Sequence, residues 1–202
     1  MKNSLIIVGF FICGIIGSLL GILPEFLLDS KLSNYALYGL MFFVGVSIGT
    51  DKDALSVIKK VKFKILLVPL SVILGTLIGV SIVSIFIKDF GLRESLAIGA
   101  GFGYYSLSSI FITKMAGSVL GVIALLSNIM REVTTLLLTP LFAKYFGKLA
   151  PIASGGATSM DTTLPVITKF SGVEYGVIAV FSGTVLTILV PFLVTFILTA
   201  FR

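Results

Sequence analysis

Long uncharged runs dominate this sequence. Residues 3–24, 32–50, 65–87 and 175–201 contain no Asp, Glu, Lys or Arg. Each run reaches or approaches the roughly 20 apolar residues that a helix needs to cross the hydrocarbon core of a bilayer. Apolar residues make up 57% of the chain and charged residues only 12%, a composition typical of polytopic membrane proteins. We therefore predict an all-α fold and a single integral membrane domain over residues 1–202.

The basic residues lie between the apolar runs. The segment 51–64 holds five lysines, which are Lys52, Lys59, Lys60, Lys62 and Lys64. Because cytoplasmic loops are enriched in Lys and Arg, we expect this loop and, two crossings earlier, the N-terminus to lie in the cytoplasm. The first run is longer than the apolar core of a signal peptide, about 7–15 residues, and is predicted to be a retained helix. The net charge of +6 is thus explained by lysines that orient the chain in the membrane. No nucleic-acid partner is predicted.

The sequence lacks the residues that several kinds of catalytic, metal and nucleotide site require. The sequence has no histidine and one cysteine, Cys13, which excludes histidine metal ligands, Ser/His nucleophile pairs and an intrachain disulfide. No phosphate-binding Gly-x-x-x-x-Gly-Lys-Ser/Thr motif occurs. We predict no metal and no cofactor.

Two polar, glycine-rich segments interrupt the apolar pattern. Residues 95–116 and 154–165 combine several glycines with hydroxyl side chains. Irregular backbone at membrane depth is tolerated only where protein or trapped water satisfies its polar groups, and its usual use is a substrate or ion site. Both segments are therefore predicted to surround a binding site.

The two segments belong to an apparent internal repeat. With a shift of 55 residues, 112–124 and 167–179 are identical at eight of thirteen positions, including a lysine and two glycines. We predict repeat units of approximately residues 95–142 and 150–201, each a broken segment followed by a full span.

The repeat allows two topologies. If each broken segment re-enters, the chain has about five spanning helices and an inverted repeat, and nine Lys and Arg lie inside against five outside. If each segment crosses, the chain has seven crossings, a parallel repeat and a ratio of eight to six. The charge distribution favours the re-entrant topology, which is the common build of secondary transporters.

Three charged residues are expected deep in the membrane: Arg131, Glu132 and Asp161. A charge at the bilayer centre costs at least about 2.5–3.5 kcal/mol and usually marks a functional site. Glu132 shares a helix face with three uncharged polar residues, Asn128, Thr135 and Thr139. We predict that Glu132 and Asp161 bind substrate or protons and that Arg131 is a fixed counter-charge. For Asp161 the alternative is the N-cap of a half-helix that starts after Gly156.

Other candidate site residues lie next to these charges. Side-chain ligands for substrate or protons are predicted at Tyr105, Ser106, Asn128, Thr158, Ser159 and Thr162. Backbone groups for ligand capture are predicted at Gly101, Gly103, Gly155 and Gly156, with close helix packing as the alternative.

Three motifs carry a family resemblance. They are Gly-Phe-Gly-Tyr-Tyr-Ser-Leu-Ser at 101–108, Arg131-Glu132, and Gly-Gly-Ala-Thr-Ser-Met-Asp-Thr-Thr-Leu-Pro at 155–165. In this order and spacing, and with Phe-Val-Gly-Val at 43–46, the chain resembles the LysO-type lysine exporter family over essentially its whole length. The resemblance implies export of L-lysine and related basic amino acids across the bacterial cytoplasmic membrane. It also implies that intramembrane acids are needed for transport, here Glu132 and Asp161.

The resemblance has one departure. Longer family members match this chain over their C-terminal two-thirds and carry further N-terminal spans with another intramembrane acid. We expect a separate small membrane protein to supply that part; a homo-oligomer and a changed activity are the alternatives.

The resulting hypothesis is a secondary transporter coupled to proton or ion exchange. Glu132 and Asp161 would bind the ammonium groups of lysine, and amides around 101–106 and 155–159 would bind its carboxylate. The rival interpretations are an intramembrane aspartyl-type enzyme that uses the same two acids, and a non-transporting subunit of a two-component membrane complex.

Overall fold

The computed structural model describes residues 2–24, 35, 39, 42–43, 46, 49–50, 65–87 and 89–200. Within these ranges the chain is all-helical, with no strand. Its helices are α1 (Lys2–Leu19), α2 (Leu67–Ser84), α3 (Leu92–Gly99), α4 (Tyr105–Ala116), α5 (Ser118–Tyr145), α6 (Ala150–Gly155), a 3₁₀ helix (Gly156–Met160), α7 (Leu164–Ser171) and α8 (Val173–Ala200). The predicted loop 51–64 and most of the predicted span 32–50 lie outside the described residues.

The all-α membrane fold predicted from the sequence is confirmed. Three of the described helices, α2, α5 and α8, are long and apolar enough to cross a bilayer. Helix α5 turns an apolar stripe outwards, formed by Val119, Val122, Leu126 and Met130, which are more than half exposed. The same helix buries Asn128, Thr135 and Thr139. An apolar exterior around a polar interior is the pattern expected of a helix in lipid.

Helices α5 and α8 are alike in length and in the way they begin. Each has 28 residues, and their first residues lie 55 positions apart, as do their last. Each follows a glycine with positive φ, Gly117 (φ 98°) and Gly172 (φ 118°). A left-handed backbone costs little only for glycine, so these residues allow α4 and α7 to turn sharply into the long helices.

The first broken segment lies between α3 and α4. Phe102 (φ 45°) and Gly103 (φ 95°) both have positive φ. Short turns replace the helical ladder: Phe102 N donates to Gly99 O at 3.0 Å, and Tyr104 N donates to Gly101 O at 2.7 Å. The backbone therefore stays hydrogen-bonded while the helix is interrupted, as an apolar surrounding requires.

The second broken segment differs from the prediction. The half-helix expected after Gly156 is a five-residue 3₁₀ helix. Helix α7 begins later, at Leu164, with Thr163 at its N-cap. Asp161 lies between the two (φ −133°, ψ −99°), so the interpretation of Asp161 as a helix N-cap is wrong. Pro165 explains the late start, because proline is accommodated in the first turn of a helix, where its missing N–H is not needed.

The two broken segments cross with their backbones in contact. Ala157 N donates to Phe102 O at 2.8 Å. A Cβ atom on Gly103 would lie 2.9 Å from Gly155 O, and one on Gly156 would overlap Phe102 O. The crossing is therefore possible only because glycine occupies these positions.

One shared cavity and two hydrogen bonds show which helix ends lie near each other. Asp89 and Glu94, at the start of α3, line the same surface cavity as Val119 and Leu120 at the start of α5. Lys148 Nζ, before α6, donates to Phe170 O near the end of α7 at 2.7 Å. Arg93 Nη2 donates to Leu198 O near the end of α8 at 2.8 Å.

We predict that Gly156→Ala destabilises the protein far more than Gly147→Ala. Both glycines have positive φ, 62° and 91°, so each substitution carries the left-handed backbone strain of about 1–2 kcal/mol. Only a Cβ on Gly156 meets the crossing backbone, whereas a Cβ on Gly147 meets nothing within 4 Å. The midpoint of thermal unfolding of the purified chain in detergent measures the difference. Equal shifts for both variants would show that the crossing is not tightly packed.

Candidate functional site

A cavity of about 230 Å³ lies beside the crossing. It is lined by Gly103, Tyr104, Tyr105, Ser106, Glu132, Ala157, Thr158, Met160, Asp161, Thr162 and Thr187. We call it the acid cavity, because it brings together the two carboxylates that the sequence analysis singled out. Its walls come from the start of α4, the 3₁₀ helix and the middle of α5 and α8.

Thr162 bonds one of the two acids. Thr162 N donates to Asp161 Oδ1 at 2.6 Å, and Thr162 Oγ1 lies 3.3 Å from the same oxygen. Glu132 lines the same cavity as Thr162 and Asp161. Within the part of the chain that the structure describes, the one salt bridge joins Arg93 and Glu94, so neither acid is paired with a basic residue. The cavity is thus suited to a cation.

Glu132 lies at the middle of α5. It is fourteen residues after the start of the helix and thirteen before its end, which places it about 20 Å from either end at 1.5 Å per residue. The acid cavity is therefore distant from both ends of this long apolar helix.

Arg131 faces another direction. Its Nε donates to Ser154 O at 2.8 Å, its Nη2 to Ala153 O at 2.9 Å, and its Nη1 to Thr76 Oγ1 at 3.3 Å. The two carbonyls belong to the end of α6, where helical carbonyls lack intrahelical partners and a cation is favourable. Arg131 does not line the acid cavity, so the predicted counter-charge compensates a helix end and not Glu132 or Asp161.

Asn128 and Ser159 hold the broken segments in place. Asn128 Oδ1 accepts from Gly103 N at 2.7 Å, while its Nδ2 donates to Ala124 O at 2.8 Å and Ile98 O at 3.3 Å. Ser159 Oγ contacts Gly156 O at 2.6 Å and Ala179 O at 3.0 Å. Both side chains are buried and point away from the acid cavity, in contrast to the sequence-based expectation that they contact substrate.

The other predicted residues divide into two groups. Tyr105, Ser106, Thr158 and Thr162 line the acid cavity, as does the backbone of Gly103. The remaining glycines, Gly101, Gly155 and Gly156, do not line it.

The N–H groups of three of these glycines donate hydrogen bonds within the protein. Gly101 N donates to Ile98 O at 3.2 Å, Gly103 N to Asn128 Oδ1 and Gly156 N to Ile152 O. A Cβ atom on any of the four glycines would approach a neighbouring atom to less than 3.0 Å, so the structure supports close packing, which was the alternative to ligand capture.

Two lining residues were not predicted from the sequence, Met160 and Thr187. Both could have been found from the 55-residue shift, which pairs Glu132 with Thr187 and Tyr105 with Met160. The same shift pairs Ser106 with Asp161, so three pairs of lining residues lie 55 positions apart.

The fold and the site define a helical membrane protein with an acidic cavity at the crossing of two discontinuous segments, an arrangement typical of secondary transporters. The chain belongs to the lysine exporter LysO family, whose family model matches residues 8–198. This is a family of exporters and not of enzymes, which removes the intramembrane protease from consideration.

Two curated relatives are similar to the chain. A putative lysine exporter of Haemophilus influenzae is 36% identical over 162 residues, which cover 80% of this chain and 82% of the relative. The lysine exporter LysO of Escherichia coli is 34% identical over 167 residues, which cover 83% of this chain and 55% of the relative. The chain thus spans about half the length of the E. coli protein. No solved structure matches it.

We predict that Asn128→Ala lowers the stability of the fold. The substitution leaves Gly103 N–H and Ile98 C=O without their side-chain partner, at a cost of about 1–3 kcal/mol for each buried group. The matched control is Ser127→Ala, since the adjacent Ser127 is exposed. Thermal unfolding in detergent should show a lower midpoint for Asn128→Ala only. If both variants matched the unchanged chain, Asn128 would not be holding the broken segment.

Proposed function

We propose that this chain is a secondary transporter that exports L-lysine and related basic amino acids across the bacterial cytoplasmic membrane. The observation that carries the proposal is the acid cavity: Glu132 and Asp161 line one cavity beside the middle of α5, and neither has a basic partner among the described residues. Membership in the lysine exporter family and the names of both relatives support lysine as the substrate.

The chemistry of the acid cavity suits a small solute with two ammonium groups. Lysine carries two ammonium groups, and two carboxylates can accept their hydrogen bonds while hydroxyls of Tyr105, Ser106, Thr158 and Thr162 complete the shell. The cavity volume of about 230 Å³ is below the roughly 300–1,000 Å³ of drug-sized pockets, as expected for an amino acid.

Coupling to proton or ion exchange follows from the same charges. Once lysine leaves, two unpaired carboxylates would remain in a membrane-embedded cavity, at a cost of several kcal/mol. Protons or small cations that enter in exchange remove this cost. We therefore propose antiport, in which the acids of the cavity carry lysine in one direction and the exchanged cation in the other.

We further propose five spanning helices and two re-entrant hairpins that form an inverted repeat. The first hairpin, α3 and α4, would start and finish on one side, since the start of α3 shares a cavity with the start of α5. The second, α6 and α7, would do so on the other side, which the contact of Lys148 with Phe170 supports. The contact of Arg93 with Leu198 supports opposite directions for α5 and α8.

The orientation follows from the charges at the two ends. Lys144, Lys148 and Lys169 would lie at the cytoplasmic side. Arg93 and Lys114 would lie outside together with Asp89 and Glu94. In this orientation the N-terminus is cytoplasmic.

A partner chain stays a prediction. A small membrane protein or a second copy of this chain could add spans of the kind that longer relatives have, and a non-transporting subunit remains the rival function. Transport by the purified chain alone separates these possibilities.

We predict that Asp161→Asn and Glu132→Gln each abolish counterflow of labelled L-lysine into proteoliposomes that contain the purified chain. Each substitution removes one of the two charges that bind the ammonium groups, while the size of the side chain is kept. Glu174→Gln is the matched control, because Glu174 lies in the first turn of α8 and does not line the acid cavity. Wild-type counterflow in folded Asp161→Asn protein would exclude Asp161 from transport.

The proposed topology predicts which cysteines are labelled from outside the cell. In a Cys13→Ser background, Asp89→Cys and Ser118→Cys should both react with an impermeant thiol reagent in intact cells. Lys148→Cys and Glu174→Cys should react only after permeabilisation. With seven crossings, each pair would instead be split, with one member labelled from outside and the other from inside.

A further inference from the structure

A second cavity lies on another face of α5. Its volume is about 320 Å³, and it is bounded by α2, α3 and α5. Its lining residues are Thr76, Val80, Val83, Ile87, Phe90, Ser95, Ile98, Gly99, Ile123, Ser127, Asn128 and Arg131. We call it the arginine cavity. It shares no lining residue with the acid cavity, because the adjacent residues Arg131 and Glu132 point in different directions from the helix.

Arg131 brings an incompletely compensated charge to this cavity. A guanidinium group has five N–H donors, and three hydrogen bonds are made, to Ala153 O, Ser154 O and Thr76 Oγ1. All three acceptors are neutral. Within the described ranges no carboxylate lies within 4 Å of Arg131. A buried cation without an anionic partner is costly, and an anion in the adjoining cavity would reduce that cost.

Ser95 adds a free donor to the same cavity. It is 3% exposed, and its Oγ has no hydrogen-bond partner among the described residues. Ser108, by contrast, is a buried helical serine that donates to a carbonyl one turn earlier. A buried hydroxyl without a partner is unfavourable unless a ligand or water satisfies it. Thr76 accepts a hydrogen bond from Arg131 and can still donate its own proton.

We propose that the arginine cavity binds a monovalent anion at Arg131, Ser95 and Thr76. In transport the anion is the carboxylate of the amino acid, and this part of the inference rests on the proposed function. Free chloride is the other source of the same chemistry. The N–H groups of Gly101, Gly103 and Gly156, which were expected to bind the carboxylate, already donate hydrogen bonds within the protein.

The position of the cavity gives it a place on the export path. Its lining residues Phe90 and Ile123 also line the surface cavity that contains Asp89 and Glu94. This is the side that we propose to face outwards. The amino acid would therefore meet Arg131 after it has left the acid cavity.

Two analogues of lysine separate the two cavities. L-Norleucine has the carbon chain, the α-ammonium group and the carboxylate of lysine but lacks the side-chain ammonium group, whereas cadaverine keeps both ammonium groups and lacks the carboxylate. Thermal unfolding of the purified full chain in detergent, titrated with each compound or with chloride against a sulfate background of equal ionic strength, gives apparent affinities.

The decisive variant is Ser95→Ala. Because the Ser95 hydroxyl has no partner in the protein, its removal should leave the fold intact while weakening norleucine binding about tenfold or more, as for a hydrogen bond to a charged group. Ser182→Ala is the matched control, since Ser182 is another buried serine without a partner among the described residues and lines neither cavity. Arg131→Gln should abolish norleucine binding; if this variant fails to fold, Ser95→Ala decides alone.

Each outcome has one meaning. Norleucine binding that depends on Ser95 supports the carboxylate site, and chloride binding alone with the same dependence supports a free-anion site. If neither compound stabilises the chain, or if Ser95→Ala binds them as well as the unchanged chain does, the inference is overturned. Stabilisation by cadaverine that is lost in Asp161→Asn reports on the acid cavity separately, so failure of the anion site is distinguishable from failure of the proposed function.

Discussion

The structure depends on hydrogen bonding of backbone that is interrupted at membrane depth. Lipid offers no partner for a free amide or carbonyl, so each broken segment must be satisfied by the rest of the protein. The segments partly satisfy each other, through Ala157 N and Phe102 O. Helix α5 supplies the rest: Asn128 bonds the first segment, and Arg131 bonds the carbonyl end of α6 before the second. The polar stripe of α5 therefore first stabilises the fold, and Glu132 is the member of the stripe that lines the acid cavity.

The crossing brings matching positions of the two segments to one cavity, and their chemical differences concentrate the charge there. Ser106 and Asp161 lie 55 residues apart, as do Glu132 and Thr187, and all four line the acid cavity. In each pair one position is an acid and the other a hydroxyl. The cavity thus has two carboxylates and two hydroxyl groups at positions that lie 55 residues apart, which favours a solute with ammonium groups over a neutral one. Arg131, the residue next to Glu132 on α5, lines the separate arginine cavity. Its positive charge therefore does not neutralise the two acids.

Much of this arrangement could be predicted from the sequence, because charge and irregular backbone are costly in a membrane. That cost is enough to single out both broken segments, Glu132 and Asp161 from the sequence. It could not decide whether a polar side chain turns towards a cavity or towards a backbone carbonyl. Asn128 and Ser159 take backbone partners, a result that depends on how the segments cross. The start of α7 at Leu164 was likewise missed, because the glycines that suggested a helix start after Gly156 are required by the crossing. Thr187 was within reach, since the 55-residue shift applied to Glu132 leads to it.

In the proposed mechanism lysine binds between the two crossing segments, next to Glu132 and Asp161. The rate at which a small cationic thiol reagent modifies Thr187→Cys, in a Cys13→Ser background, with and without L-lysine, tests this position. Residue 187 lines the acid cavity without bonding either acid. Bound lysine should slow the modification in a saturable manner, and Asp161→Asn should remove this protection. An unchanged rate at lysine concentrations that sustain counterflow would show that the substrate binds elsewhere.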